Sequence, residues 1–231
     1  MIPVSVLDNF FENPDDVRKF ALQQTYTKKF AVPGYRTEPL HIIAPGLFDI
    51  FAARVFSLFF DFDAEPTISW NMSASFQWVP AVYETGWVHT DDVDKTHISG
   101  VVYLTPDAPL DGGTSVYKPT DRTQDIDDSL KAPFYDFYTT SSLDSFPDLE
   151  KYRKLRDDHN AKFDRTISIA NVYNRLFTYN TYDYHSEDKF FGNTLEDSRL
   201  TLVFFAQTSG LRSPDFRYSN IQRRQDLDRR F

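Results

Sequence analysis

A chain of 231 residues, 41% of them hydrophobic, suits one domain with a sizeable core. Its formal net charge of −9 argues against a general nucleic-acid binder, which carries a basic footprint, and leaves only a local basic patch as a route to one. With no cysteine there is no disulfide framework, and any metal must be held by His, Asp or Glu.

In chain order, Ile2 to Leu7 reads as a short strand. Asn13 and Pro14 then signal a helix start, with Pro14 at the first helical position, and Val17, Phe20 and Ala21 give the helix from Asp15 to Gln24 an apolar stripe. Val32-Pro-Gly-Tyr-Arg-Thr37 reads as a turn-rich loop, and Gly46 to Phe60 as a second helix, apolar on most sides and so well buried. The N-terminus has neither a basic nor a long apolar segment, so no signal peptide is expected. The greasiest stretch, Ile42 to Phe62, is interrupted by Pro45, Asp49, Arg54 and Asp61 and is too broken to span a bilayer. A cytoplasmic protein with no membrane partner is the expectation.

From Thr67 the texture turns to β, consistent with 22 Phe and 13 Tyr. Strands are expected at Ile68 to Val79, Ala81 to Tyr83 and His97 to Thr105. The tight turn Asp111-Gly-Gly-Thr114 leads to another at Ser115 to Tyr117. Residues 120–165 are polar and read as an insertion across a barrel mouth, with one helix from Ser145 to Phe163. Strands resume at Thr166 to Val172, Arg175 to Tyr179 and Leu200 to Ala206. The tail from Leu211 holds six Arg against three Asp. The expected organisation is therefore one α+β domain. Residues 1–66 give the N-terminal strand and helices, 67–118 and 166–207 an antiparallel sandwich or barrel, 120–165 a lid, and 211–231 a basic tail.

The chemistry concentrates in three places. In Trp87-Val-His-Thr-Asp-Asp92, His89 and Asp91 are two apart, so on an extended segment they point to one face. His185, in Tyr182-Asp-Tyr-His-Ser186, follows a strand in an aromatic stretch and is the best placed of the remaining histidines. His159 sits in the charged helix and is expected to be solvated, and His97 opens a strand as a structural residue. Two histidines and one carboxylate with open coordination positions are the ligand set of non-haem Fe(II) oxygenases. Arg199 shares a face with Thr201, Val203 and Phe205 of an apolar strand. A guanidinium entering a buried face needs an anion, and a hydroxyl two residues on completes a carboxylate clamp. The bland readings are a polar strand end, a half-buried histidine and an arginine that reaches solvent. Arg175 reads as structural.

Taken in order, Tyr83, His89-Thr-Asp91, Gly100-Val-Val-Tyr-Leu-Thr105, Gly112-Gly-Thr114, His185 and Arg199-Leu-Thr201 resemble the Fe(II)- and 2-oxoglutarate-dependent oxygenases, in particular the prolyl-4-hydroxylase-like branch. A closer likeness is to small bacterial and phage proteins of that superfamily. It rests on Asp8-Asn-Phe10, Asn13-Pro-Asp-Asp-Val-Arg18, Pro33-Gly-Tyr-Arg36, Asn174-Arg-Leu176 and Asp197-Ser-Arg-Leu-Thr201. The resemblance implies a double-stranded β-helix, a jelly-roll, cupin-like barrel with N-terminal helices outside. It implies Fe(II) held by His89, Asp91 and His185, which would be the catalytic residues. It also implies 2-oxoglutarate held by Arg199 and Thr201 with Tyr83 lining its pocket, and O₂ as cosubstrate. The activity implied is a hydroxylase that couples decarboxylation of 2-oxoglutarate to C–H oxidation of a peptide, nucleotide or small metabolite. Retention of Asp91 argues against halogenation, which in this superfamily goes with loss of the carboxylate. The alternatives are a cupin-like metal enzyme of another class, which would more often use three or four histidines, and a non-catalytic binding module on the same fold.

Overall fold

A computed structural model describes residues 4–29, 32–62, 68–91, 97–121 and 149–209. Nine strands form two antiparallel sheets among the described residues. They are β1 (Ser5–Leu7), β2 (Tyr35–Arg36), β3 (Ser69–Val79), β4 (Ile98–Tyr103), β5 (Thr114–Pro119), β6 (Phe163–Ile169), β7 (Leu176–Asn180), β8 (Tyr184–Glu187) and β9 (Arg199–Ser209). The larger sheet runs β1-β7-β4-β9-β3-β2 and the smaller β6-β5-β8. Among the described residues four α-helices accompany them: α1 (Pro14–Leu22), α2 (Leu40–Ile43), α3 (Pro45–Phe59) and α4 (Leu149–Asn160).

The spine of the larger sheet is the β3–β9 pair, in unbroken register from Ser69↔Ser209 to Val79↔Arg199. Because side chains alternate across a strand, β9 sorts its residues cleanly. Leu200, Leu202, Phe204 and Ala206 join the core under the helices, where Phe204 meets Phe51 of α3 edge-on at 5.3 Å between ring centroids. Arg199, Val203 and Phe205 face the other way and line a cavity between the sheets. A strand covered on both faces thus reads as continuously apolar, with its one charge at the site.

Several boundaries differ from expectation. Ala81–Tyr83 is a short 3-10 helix, and Tyr35–Arg36 is a strand where a loop was expected. Gly34, at φ +66, lets the chain turn into β2, and a side chain there would strike the Trp78 carbonyl. Strand β6 begins at Phe163, within the expected insertion, and α4 ends at Asn160, before the expected Phe163. Residues 122–148 of that insertion and the basic tail from residue 210 lie outside the described residues. Asn13 occupies the cap position of α1 but makes no side-chain cap bond. Arg175 pairs with Asp8 at 2.5 Å, joining the start of β7 to the end of β1, as its structural reading requires. No described helix is long and apolar enough to cross a membrane.

Candidate metal centre

His89 and His185 are backbone partners. Each donates its N–H to the other's carbonyl, at 3.0 and 2.9 Å, in an isolated antiparallel bridge on the open edge of β8. This pairing sets the imidazoles side by side, with ring centroids 4.4 Å apart. His89 Nδ1 lies 2.7 Å from the Trp87 carbonyl and His185 Nδ1 lies 3.0 Å from the Asp183 carbonyl. A carbonyl only accepts, so each Nδ1 carries a proton and Nε2 is the ring nitrogen left to ligate a metal. Both Nε2 atoms turn toward Asp91, at 3.9 Å from Oδ1 and 3.7 Å from Oδ2. One ligand atom from each of the three residues lies within 4.8 Å of the others. Burial holds the His185 pKa below that of an ordinary histidine and so favours the neutral ligand form. Asp91 Oδ2 is buried without a hydrogen-bond partner, an orphan lone pair that a cation at this point would satisfy. Two imidazoles and one carboxylate at this spacing fit a divalent first-row metal.

The segment carrying these ligands is held on both edges. Gly86 N–H and His89 bond to β8, while Val88 points its backbone groups the other way, as strand geometry requires. There α4 takes the place of a neighbouring strand. Val88 N–H donates to Asn160 Oδ1 at 2.8 Å, and His159 Nε2–H donates to the Val88 carbonyl at 2.7 Å. Asn160 Nδ2 also donates to the Gly86 carbonyl, at 3.0 Å. His159 is thus buried, not solvated; burial depresses its pKa against the opposing hydrogen bond to Val88.

Arg199 is 1% exposed and lines the same cavity as the triad. Its Nε donates to the Gly112 carbonyl at 3.2 Å and its Nη2 to Thr114 Oγ1 at 3.0 Å, with the Tyr103 and Phe190 rings against it. The Gly-Gly-Thr turn therefore serves the arginine directly. Thr201 is buried beside it, but its hydroxyl is directed to the Gln77 carbonyl at 3.5 Å and it does not line the cavity. Tyr83 stands apart. Its ring packs against Phe190, its hydroxyl accepts a bond from Lys28 at 3.0 Å, and it too is absent from the cavity wall. Burial raises the Tyr83 phenol to about 12.

The cavity contains two charges not foreseen from the sequence, Arg36 and Glu187. Glu187 lies two residues beyond His185 on β8, so strand alternation turns both inward; that spacing was the available signal. Burial pushes the Glu187 carboxyl up, but the Arg199 guanidinium and then His89 outweigh it and leave it below the usual range. Gly86 stands opposite, where an added Cβ would lie 2.3 Å from Glu187 Oε2 and 2.7 Å from Ser186 Oγ and would displace those side chains.

Solved structures with this arrangement of sheets and helices place the chain in a fold class. A prolyl hydroxylase from Trichoplax adhaerens, in complex with a hypoxia inducible factor oxygen degradation domain peptide fragment, matches with a TM-score of 0.53 at 10% identity, over 88% of this chain and 82% of that one. The non-heme alpha ketoglutarate dependent epimerase SnoN from nogalamycin biosynthesis matches with a TM-score of 0.51 at 11% identity, over 90% and 78%. At these identities the likeness is one of fold. Residues 1–206 match the sequence profile described as Family of unknown function (DUF6445), and the chain belongs to that family. A search of curated proteins finds no matching sequence.

Proposed function

We propose that this protein is an Fe(II)- and 2-oxoglutarate-dependent dioxygenase of the prolyl-4-hydroxylase-like branch, built on a double-stranded β-helix and acting as a hydroxylase. The observation that carries the reading is the convergence of His89, Asp91 and His185 with both Nε2 atoms turned inward, in one cavity with the buried Arg199. The shared fold supports it. A three-histidine centre finds less support, since His159 commits Nε2 to the Val88 carbonyl.

In this reading His89, Asp91 and His185 hold the iron. When bound, the metal with its 2-oxo acid supplies oxidative decarboxylation coupled to C–H oxidation of the substrate. The residues of the chain do the rest. The carbonyls of Trp87 and Asp183 hold the imidazole Nδ1 atoms and so orient each Nε2 toward the metal position. Arg199, pre-oriented by Gly112 and Thr114, takes the distal carboxylate of 2-oxoglutarate as a charge-assisted pair. The walls enclose only about 40 Å³, room for very few water molecules, so the side chains lining the cavity must shift to admit a dicarboxylate. Helix α4 bonds to the ligand-bearing segment and β6 begins at Phe163, so of the expected lid only the rest of 120–165 and the basic tail stay in the proposal.

The test is succinate formation from 2-oxoglutarate by the full chain with added Fe(II), alongside calorimetric binding of 2-oxoglutarate to the Ni(II)-loaded protein. Asp91→Ala and His185→Ala should abolish both metal binding and turnover. Arg199→Leu should keep the metal and lose about 2–5 kcal/mol of 2-oxoglutarate affinity, roughly 30-fold or more. Absence of 2-oxoglutarate binding in the wild type, or unchanged affinity in Arg199→Leu, rejects the reading.

A further inference from the structure

The cavity holds two arginines, and a 2-oxo diacid bound at the metal leaves only one free carboxylate for a guanidinium. Arg36 is the second, and it reaches the cavity from a different part of the fold. Across the sheet Arg36 stands opposite Gln77, and Gln77 opposite Thr201, with Arg199 two residues further along β9. Two strand spacings sideways and two residues lengthwise separate the backbone origins of the two arginines by roughly 12 Å. They approach the triad from separate directions.

Arg36 is fixed in place and under-used. Gln77 accepts from its Nη2 at 3.3 Å and is itself anchored through Nε2 to the Pro33 carbonyl at 2.8 Å. The ring of Phe205 lies against the guanidinium at 5.6 Å. Its Nε is buried with no hydrogen-bond partner. Burial lowers its pKa while the charges of Asp91 and then Glu187 raise it, yet no described carboxylate forms an ion pair with it. Asp91 is in addition one of the three proposed metal ligands. An arginine stays charged in a protein, and a buried, unpaired N–H of a charged group costs free energy that an incoming acceptor recovers.

We propose that Arg36, braced by Gln77, is a subsite for an oxyanion of the substrate, a carboxylate or phosphate held beside the metal while Arg199 keeps the cosubstrate. The proposal rests on the oxygenase reading and narrows its substrate class to anionic molecules.

The test uses the full chain loaded with Ni(II) and saturating 2-oxoglutarate, titrated in a calorimeter with inorganic phosphate and, separately, with acetate. The wild type should bind at least one of them. Arg36→Gln should weaken that binding at least tenfold while its 2-oxoglutarate affinity stays within threefold of wild type. A parallel loss of 2-oxoglutarate affinity makes Arg36 a cosubstrate clamp and overturns the proposal, as does unchanged anion binding. Two further arms keep it falsifiable. If Arg36→Gln does not fold, modification of the wild type by phenylglyoxal serves instead: phosphate or acetate should protect Arg36, read by peptide mass spectrometry, and not the exposed Arg165. Equal modification of Arg36 with and without the anions overturns the subsite. In an Arg199→Leu chain the anion should still protect Arg36, whether or not 2-oxoglutarate binds. Failure of 2-oxoglutarate to bind the wild type therefore counts against the oxygenase reading, and failure of protection counts against the subsite.

Discussion

Helices α3 and α4 both lie against β structure, but different forces attach them. Helix α3 buries Phe51, Ala52, Val55, Phe56 and Phe59 under the larger sheet, an apolar face that removes surface from water and has no directional requirement. Helix α4 is highly charged and buries Tyr152, Arg156 and His159, one face at helical spacing. It packs the rings of Tyr152 and His159 on Trp87 of the ligand-bearing segment, and it positions that segment through polar bonds. Tyr152 accepts from Trp87 Nε1 at 3.2 Å, Arg156 reaches Glu84 at 3.2 Å, and His159 and Asn160 hold Val88. Apolar burial keeps the fold together and tolerates small shifts. Hydrogen bonds from α4 fix where the backbone of residues 86–88 runs, and so where His89 sits. Stability and site geometry are thereby assigned to different helices.

The largest effect should come from α3. Phe51→Ala removes a fully buried ring and should cost about 3–5 kcal/mol in chemical denaturation. At temperatures where the variant remains folded, its Ni(II) affinity should stay within about threefold of wild type on the argument that α3 touches no ligand segment. A matching fall in metal affinity would erase the distinction between the helices.

Asn160→Ala should show the opposite balance. Leaving the Val88 N–H and Gly86 carbonyl without their partner should cost about 1–3 kcal/mol of stability. Metal affinity should fall at least tenfold, in the range seen for groups that orient ligands. Calorimetry with Ni(II) decides it, and an unchanged affinity would reduce α4 to ordinary packing.

The smallest effect is on pH dependence. The folded-state pKa of His159 is depressed, first by burial, so the unfolded chain binds its proton more readily. Its contribution is whole above the unfolded value of about 6.5 and is lost as pH falls below it, by at most about 1.4 kcal/mol per unit. The wild type should therefore lose stability relative to His159→Gln between pH 7.5 and 5.5. A difference that stays constant across that range would show that the fold leaves the His159 pKa where it stands in the unfolded chain.

The legible parts of the site were those written in local periodicity. His89 and Asp91 two apart, and Arg199 in phase with Val203 and Phe205, state their facing directly, and the structure puts them in one cavity. Glu187 was equally in phase with His185, but β8 is only four residues long and did not register as a strand. Arg36 was hidden because its burial comes from pairing with Gln77, more than forty positions away, and not from its turn-rich surroundings. His159 was misplaced for a related reason: charged neighbours suggested water, whereas the spacing of Tyr152, Arg156 and His159 encoded a buried polar face. Tyr83 was placed by resemblance alone, and its ring belongs to a neighbouring cluster with Trp87 and Tyr152. The sheets and α3 were legible because apolar alternation and stripes are local signals. In the second half of the insertion the helix was legible but its docking on residues 84–88 was not, because polar attachment leaves no such pattern.

The reciprocal backbone bridge between His89 and His185 has a consequence for how the chain comes to its native state. The two residues are 96 positions apart (185 − 89), and closing a loop of that length costs on the order of 4 kcal/mol of chain entropy. No short fragment can meet that cost, and contacts of such high order form late. An emerging or partly collapsed chain thus offers isolated imidazoles and no chelate until β8 has docked. Under the proposed function, metal capture would act on the native state and by mass action would draw the folding equilibrium toward completion.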